Sequence, residues 1–123
     1  MRTWVKLALV FLGSWAVTNN AVAGSNHAFL TAAQLVQYCV SQDPRRVAFC
    51  EGYILAVNDT VVAGYLKEYI GICYPEGLQP TDLRLAVVEY LARQTALQTY
   101  IAEGPVAEAL GFKFPCENSP SKQ

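Results

Sequence analysis

The chain has 123 residues, 53% of them hydrophobic and only 15% charged, with nine Lys and Arg against ten Asp and Glu. That length makes one small domain rather than several. A formal net charge of −1 argues against nucleic acid, whose binding rests on neutralising phosphates, and against an anionic membrane surface.

The N-terminus reads as a signal peptide over residues 1–23. Arg2 and Lys6 give a basic start, Leu7 to Val17 is an apolar run of 11 residues, and Ala21-Val22-Ala23 supplies small residues for cleavage after Ala23. The run is too short for a bilayer, which needs about 20 residues. The residue directly after the cut is Gly24, not cysteine, which argues against a lipid anchor there. The expected mature domain is 24–123. Losing Arg2 and Lys6 leaves seven basic residues against ten acidic ones, a charge of −3. Such a chain is expected in an oxidising compartment, with no membrane contact after cleavage. Its four cysteines, Cys39, Cys50, Cys73 and Cys116, then read as two structural disulfides.

Gly24 to Ala28 is a loose stub, and Asn118 to Gln123 a polar tail. Between them the pattern is helical four times. Thr31 and Gln34 form a capping box, flanked by the staple pair Leu30 and Leu35, and start a helix from Ala32 to about Val40. Asp43 and Pro44 are the N-cap and first residue of a second helix. Its stripe is Val47, Cys50, Ile54, Val57, Val61 and Gly64, widened by Phe49, Tyr53, Ala56 and Leu66, and it is predicted to end near Ile70-Gly71. Gly52 and Gly64 each cost up to about 1 kcal/mol in a helix, which points to close helix approach, or to a bend at Gly64. Cys73-Tyr74-Pro75-Glu76-Gly77 is a turn. A third helix starts near Gln79-Pro80-Thr81, buries Leu83, Val87, Tyr90 and Leu91, with Leu85 and Val88 flanking, and fades near Arg93 to Thr95. A short fourth covers Pro105 to Leu110, ended by Gly111 and Pro115. No alternating strand of useful length appears, so the fold class is all-α.

Four cysteines allow three pairings. Cys50 and Cys73 bracket most of the long helix and would lie roughly 35 Å apart at 1.5 Å per residue, far beyond the roughly 7 Å a disulfide spans between Cα atoms. That removes Cys50–Cys73 with Cys39–Cys116. Cys39, beside the start of the same helix, is also far from Cys73. The surviving pairs are Cys39–Cys50 and Cys73–Cys116.

Groups for catalysis are scarce. The only histidine, His27, lies in the stub, which argues against a triad or a histidine zinc site. There is no CxxC, Ser41 has no evident base, the glutamates are spread over helices, and no glycine-rich phosphate loop is present. The reading is of a non-enzyme without metal or cofactor. Asp59 reads as a solvated or locally hydrogen-bonded helix position. Seven tyrosines suit an interface, since one end of the ring is apolar and the other polar. Tyr74 and Tyr100 fall in predicted loops.

These residues resemble a known family. Phe49-Cys50-Glu51-Gly52-Tyr53-Ile54 with Val57 and Asp59 is similar to its FCxGYI…D helix. Cys73-Tyr74-Pro75-Glu76-Gly77 is similar to its C-x-P-x-G turn, and Leu83 to Leu91 to its LRxVVxxYL helix. Val106 to Leu110 with Phe114-Pro115-Cys116 is similar to its closing V-x-x-AL…FPC. This is the Rap/Tai immunity protein family, and the resemblance covers about residues 30–116, departing over Ala96 to Pro105. It implies a periplasmic helical protein, commonly a homodimer, that neutralises a peptidoglycan amidase delivered by type VI secretion. Occlusion of a catalytic cleft then calls on exposed loops, and the candidates are Tyr74 and Glu76 in one, Tyr100 and Glu103 in the other. A homodimer would use the second helix, through Phe49, Val62, Leu66 and Tyr69. Readings of other classes are an acid-stress or general periplasmic chaperone, which would release apolar surface at low pH, and a structural envelope protein with a constitutive partner.

Overall fold

A computed structural model describes residues 30–64 and 71–117. The predicted signal peptide, the stub with His27, Leu66, Tyr69 and the tail from Asn118 lie outside the described residues. The fold is all-α: α1 (Ala32–Cys39), α2 (Pro44–Val62), α3 (Pro80–Arg93) and α4 (Glu103–Lys113), with a short 3-10 helix at Thr95–Thr99 between α3 and α4. Among the described residues there is no strand, only two isolated bridges, Thr31 with Ile101 and Ile72 with Pro115.

Local chemistry sets most helix starts. At α1 the Gln34 amide donates to Thr31 Oγ1 at 3.3 Å and the Thr31 amide to Gln34 Oε1 at 2.9 Å, a reciprocal cap. At α2 the Arg45 amide donates to Asp43 Oδ1 at 2.9 Å, with Pro44 in the first turn. At α3 the Gln79 amide donates to Asp82 Oδ2 at 2.8 Å.

The far end of α2 differs from expectation. The helix closes at Val62, not near Ile70-Gly71. Gly64 stands at φ 86, and its amide bonds Val61 O at 3.0 Å. This is a left-handed glycine ending, which a residue with Cβ rarely adopts. Further along, Tyr74 donates its hydroxyl hydrogen to Asn58 Oδ1, so the chain has already turned back alongside α2. The widening of the apolar stripe is also corrected: Phe49 and Ala56 are exposed, and the buried line is Cys50, Ile54, Val57 and Val61. Nor does Gly52 mark a close approach within the chain, since a Cβ there would meet nothing within 4 Å. α4 begins at Glu103 and runs to Lys113. Pro105 falls in its first turn, where a missing N–H costs no helix bond, and Gly111 continues the helix instead of ending it.

The core joins all four helices. Leu35, Ile54, Val87, Leu91, Val106 and Leu110 are fully buried, and so are Cys39 and Cys50. The two cysteine pairs are those expected. Cys39–Cys50 spans 5.1 Å between Cα atoms and Cys73–Cys116 spans 4.9 Å. Arg84 of α3 completes the frame. Its Nε meets Glu51 Oε1 of α2 at 3.0 Å and its Nη1 donates to the Cys39 carbonyl at 2.9 Å. That carbonyl is among the last of α1, a helix with no basic residue in its final turn, so Arg84 supplies the missing cation from a neighbour.

Candidate partner interface

The four loop residues singled out from sequence fall into two places. Tyr74 and Glu76 belong to the end tied by Cys73–Cys116. There the Cys73 amide donates to Phe114 O at 2.9 Å and the Cys116 amide to Gly71 O at 3.0 Å. Tyr74 is half-buried, edge-on to Phe114 with ring centroids 5.2 Å apart, and its hydroxyl is committed to Asn58. Glu76 is exposed beside Gly77, whose φ of 77 makes the tight turn. The Gln79 side chain donates to Gly77 O at 3.0 Å and steadies that turn.

Tyr100 and Glu103 belong to the other end of α4. The Ala32 amide donates to Tyr100 O at 2.9 Å and the Ala102 amide to Leu30 O at 3.0 Å, so this loop is clamped to the start of α1. Its side chains face water: Tyr100 is 61% and Ile101 57% exposed. Glu103 is exposed in the first turn of α4, where the helix dipole favours an acid. From Glu103 to Phe114 the helix rises about 16 Å at 1.5 Å per residue. Tyr74 with Glu76 and Tyr100 with Glu103 therefore form two separate points. The backbone clamps make both rigid, which lowers the entropy lost when a partner is bound.

A further exposed residue was not marked by the sequence pattern. Phe112, on the last turn of α4, is 66% exposed, and its ring lies 5.2 Å from that of Tyr90. The only available signal was a large apolar residue just beyond the buried Ala109-Leu110 pair, and that reads equally well as core.

Among the described residues three tyrosines have their ionisation displaced, all upward and away from neutrality. Burial, and then the Glu103 carboxylate, raise Tyr53. Burial pushes Tyr74 up to about 12. Burial, then the hydrogen bond to Glu108 (2.6 Å) and its charge, push Tyr90 up to about 12. Among the described residues no three His, Cys, Asp or Glu side chains gather as a metal site, and no helix is long and apolar enough to cross a membrane.

A pH dependence follows. A free tyrosine ionises near 10, so the unfolded chain loses these protons first. The stability tied to Tyr74 and Tyr90 is fully present below about pH 10 and is lost as pH rises towards about 12. Ultraviolet titration of the folded protein should show a late ionisation phase that shrinks by two tyrosines in Tyr74→Phe/Tyr90→Phe. Complete ionisation near pH 10 with the fold intact would contradict the partial burial of the two rings and their hydrogen bonds to Asn58 and Glu108.

The chain matches the family of Rap1a immunity proteins over residues 31–116. No curated protein and no solved structure shows significant similarity to it. The match runs from the α1 cap to the last cysteine, taking in all four helices, both disulfides and both exposed loops. Such a family implies an inhibitor that binds a secreted effector. With more than two thirds of its length matched, the chain belongs to the Rap1a immunity protein family.

Proposed function

We propose that this protein is a periplasmic immunity protein, not an enzyme, that binds a peptidoglycan amidase delivered by type VI secretion and occludes its active site. The observation that carries the reading is the family match across the whole helical domain. Two disulfides support an oxidising compartment, reached by cleavage of residues 1–23 after Ala23. Inhibition is then a binding problem: a rigid exposed loop fills the groove that substrate would occupy. The loop at Tyr100 and Glu103 suits this role best. Tyr100 is exposed and its backbone is clamped, whereas Tyr74 spends its hydroxyl inside the fold. Glu76 is the contact at the other end. The protein works as a homodimer, so that each assembly presents both loops twice.

The test is co-expression with amidases directed to the periplasm. Growth should be rescued by the wild-type protein, and purified protein should bind the cognate enzyme. Tyr100→Ala and Glu103→Lys should each weaken binding about tenfold or more, as for exposed anchor residues of an interface, with melting unchanged. No rescue and no binding across a panel of such amidases would end this reading.

A further inference from the structure

The geometry points to a defined dimer interface: the exposed face of α2 packs antiparallel against α2 of a second copy, crossing at Gly52, with reciprocal Arg45–Asp59 pairs. α2 buries one line, Cys50, Ile54, Val57 and Val61. The opposite face carries Arg45, Ala48, Phe49, Gly52, Ala56 and Asp59, all exposed. Phe49 remains 50% exposed, on a face otherwise of small residues between the two charges.

The charges choose the occupant. Seven residues are close to two turns, so Arg45, Gly52 and Asp59 lie nearly on one line, each charge about 10 Å from Gly52 in opposite directions. Two such helices crossing antiparallel at Gly52 bring Arg45 of each copy to Asp59 of the other. Ala48 then meets Ala56, and Phe49 lies over Ala56 of the second copy. A parallel crossing would set like charges together. A second copy therefore supplies the complementary pattern automatically.

Two further observations agree. Neither Arg45 nor Asp59 has an ion-pair partner among the described residues. Each also stands at the end of α2 that its charge disfavours: the cation is in the first turn and the acid in the last. In the antiparallel pair each meets the oppositely charged end of the neighbouring helix. Gly52 finds a reason here as well. It costs about 1 kcal/mol relative to alanine in a helix interior and nothing in its own chain occupies the space in front of it, but two backbones can approach closely there.

This proposal rests on the homodimer reading above and is independent of the effector. Sedimentation of the oxidised protein from micromolar to millimolar concentration should show a dimer. Arg45→Asp and Asp59→Arg should each weaken it about tenfold or more, through lost pairs and like-charge contacts. Mixing these two variants should restore association, since one then carries two acids and the other two arginines. Gly52→Leu, whose side chain enters open space in the monomer, should block the dimer without lowering the melting temperature. A monomer at every concentration would overturn the homodimer together with this face. A dimer that persists in Arg45→Asp and Gly52→Leu, or variants that do not rescue one another, would overturn this face alone.

Discussion

Replacing the Cys73–Cys116 bridge, as Cys73→Ala/Cys116→Ala, is expected to lower unfolding stability by about 4 kcal/mol, against about 3 kcal/mol of chain entropy for Cys39–Cys50. The order follows from loop size, with sequence separations of 43 and 11 residues. The two bridges also differ in access. Cys39 and Cys50 are fully buried, while Cys73 is exposed. Limiting reductant should therefore open Cys73–Cys116 first. Its loss should free the pairing of Ile72 with Pro115 and loosen the Tyr74–Glu76 turn, leaving the Tyr100 loop clamped to α1. Urea unfolding under non-reducing conditions measures the stability change, and peptide mapping after partial reduction gives the order. A loss below about 1 kcal/mol, well under the chain-entropy value, or prior opening of the buried bridge, would contradict this account.

Where the chain's instructions are local, they are legible in the sequence. Thr31 and Gln34, and Asp43 with Pro44, announce helix starts because capping uses residues within a few positions of each other. The cysteine pairing is legible for a different reason: helices are stiff rods, so spacing excludes distant pairs. The end of α2 was harder, because Gly64 continues an apolar period while its backbone leaves the helix. Only the unfavourable left-handed geometry, not the pattern, decides there. Similarly, Pro105 looked like a start but sits inside the first turn of α4, where proline is equally well tolerated. Phe49 and Ala56 read as core in the sequence because apolar residues on a surface helix normally face inward; in the fold they are exposed and lie on the proposed dimer face. At the candidate partner site the residue types were visible but their surroundings were not. Nothing in Tyr74 itself distinguishes a hydroxyl bound to Asn58 from a free one like that of an exposed loop tyrosine, since the contact bridges sixteen positions.

The long-range contact with most at stake is Arg84. Its guanidinium joins three helices: Glu51 in α2, the Cys39 carbonyl ending α1, and its own α3. Thr81 adds a hydrogen bond to Glu51 Oε1 at 3.2 Å. The side chains of Arg84 and Glu51 are only 20% and 23% exposed, so water does not readily replace a lost partner. Arg84→Ala leaves the half-buried carboxylate without its cation, with only Thr81 donating to it, and a helix-end carbonyl without its side-chain donor; it should cost about 2–3 kcal/mol, below the 3–5 kcal/mol typical of a fully buried pair because some solvent reaches the site. Arg84→Lys should recover only part of this, since a single ammonium does not reproduce the planar fork that serves both acceptors. Because the carboxylate and the guanidinium act as one unit, Glu51→Ala/Arg84→Ala should cost less than the two single changes together. Denaturant unfolding of the four proteins closes the cycle. Strict additivity, or a loss within about 0.5 kcal/mol for Arg84→Ala as at ordinary surface positions, would show that the hydrophobic contacts alone hold α1 and α2 against α3.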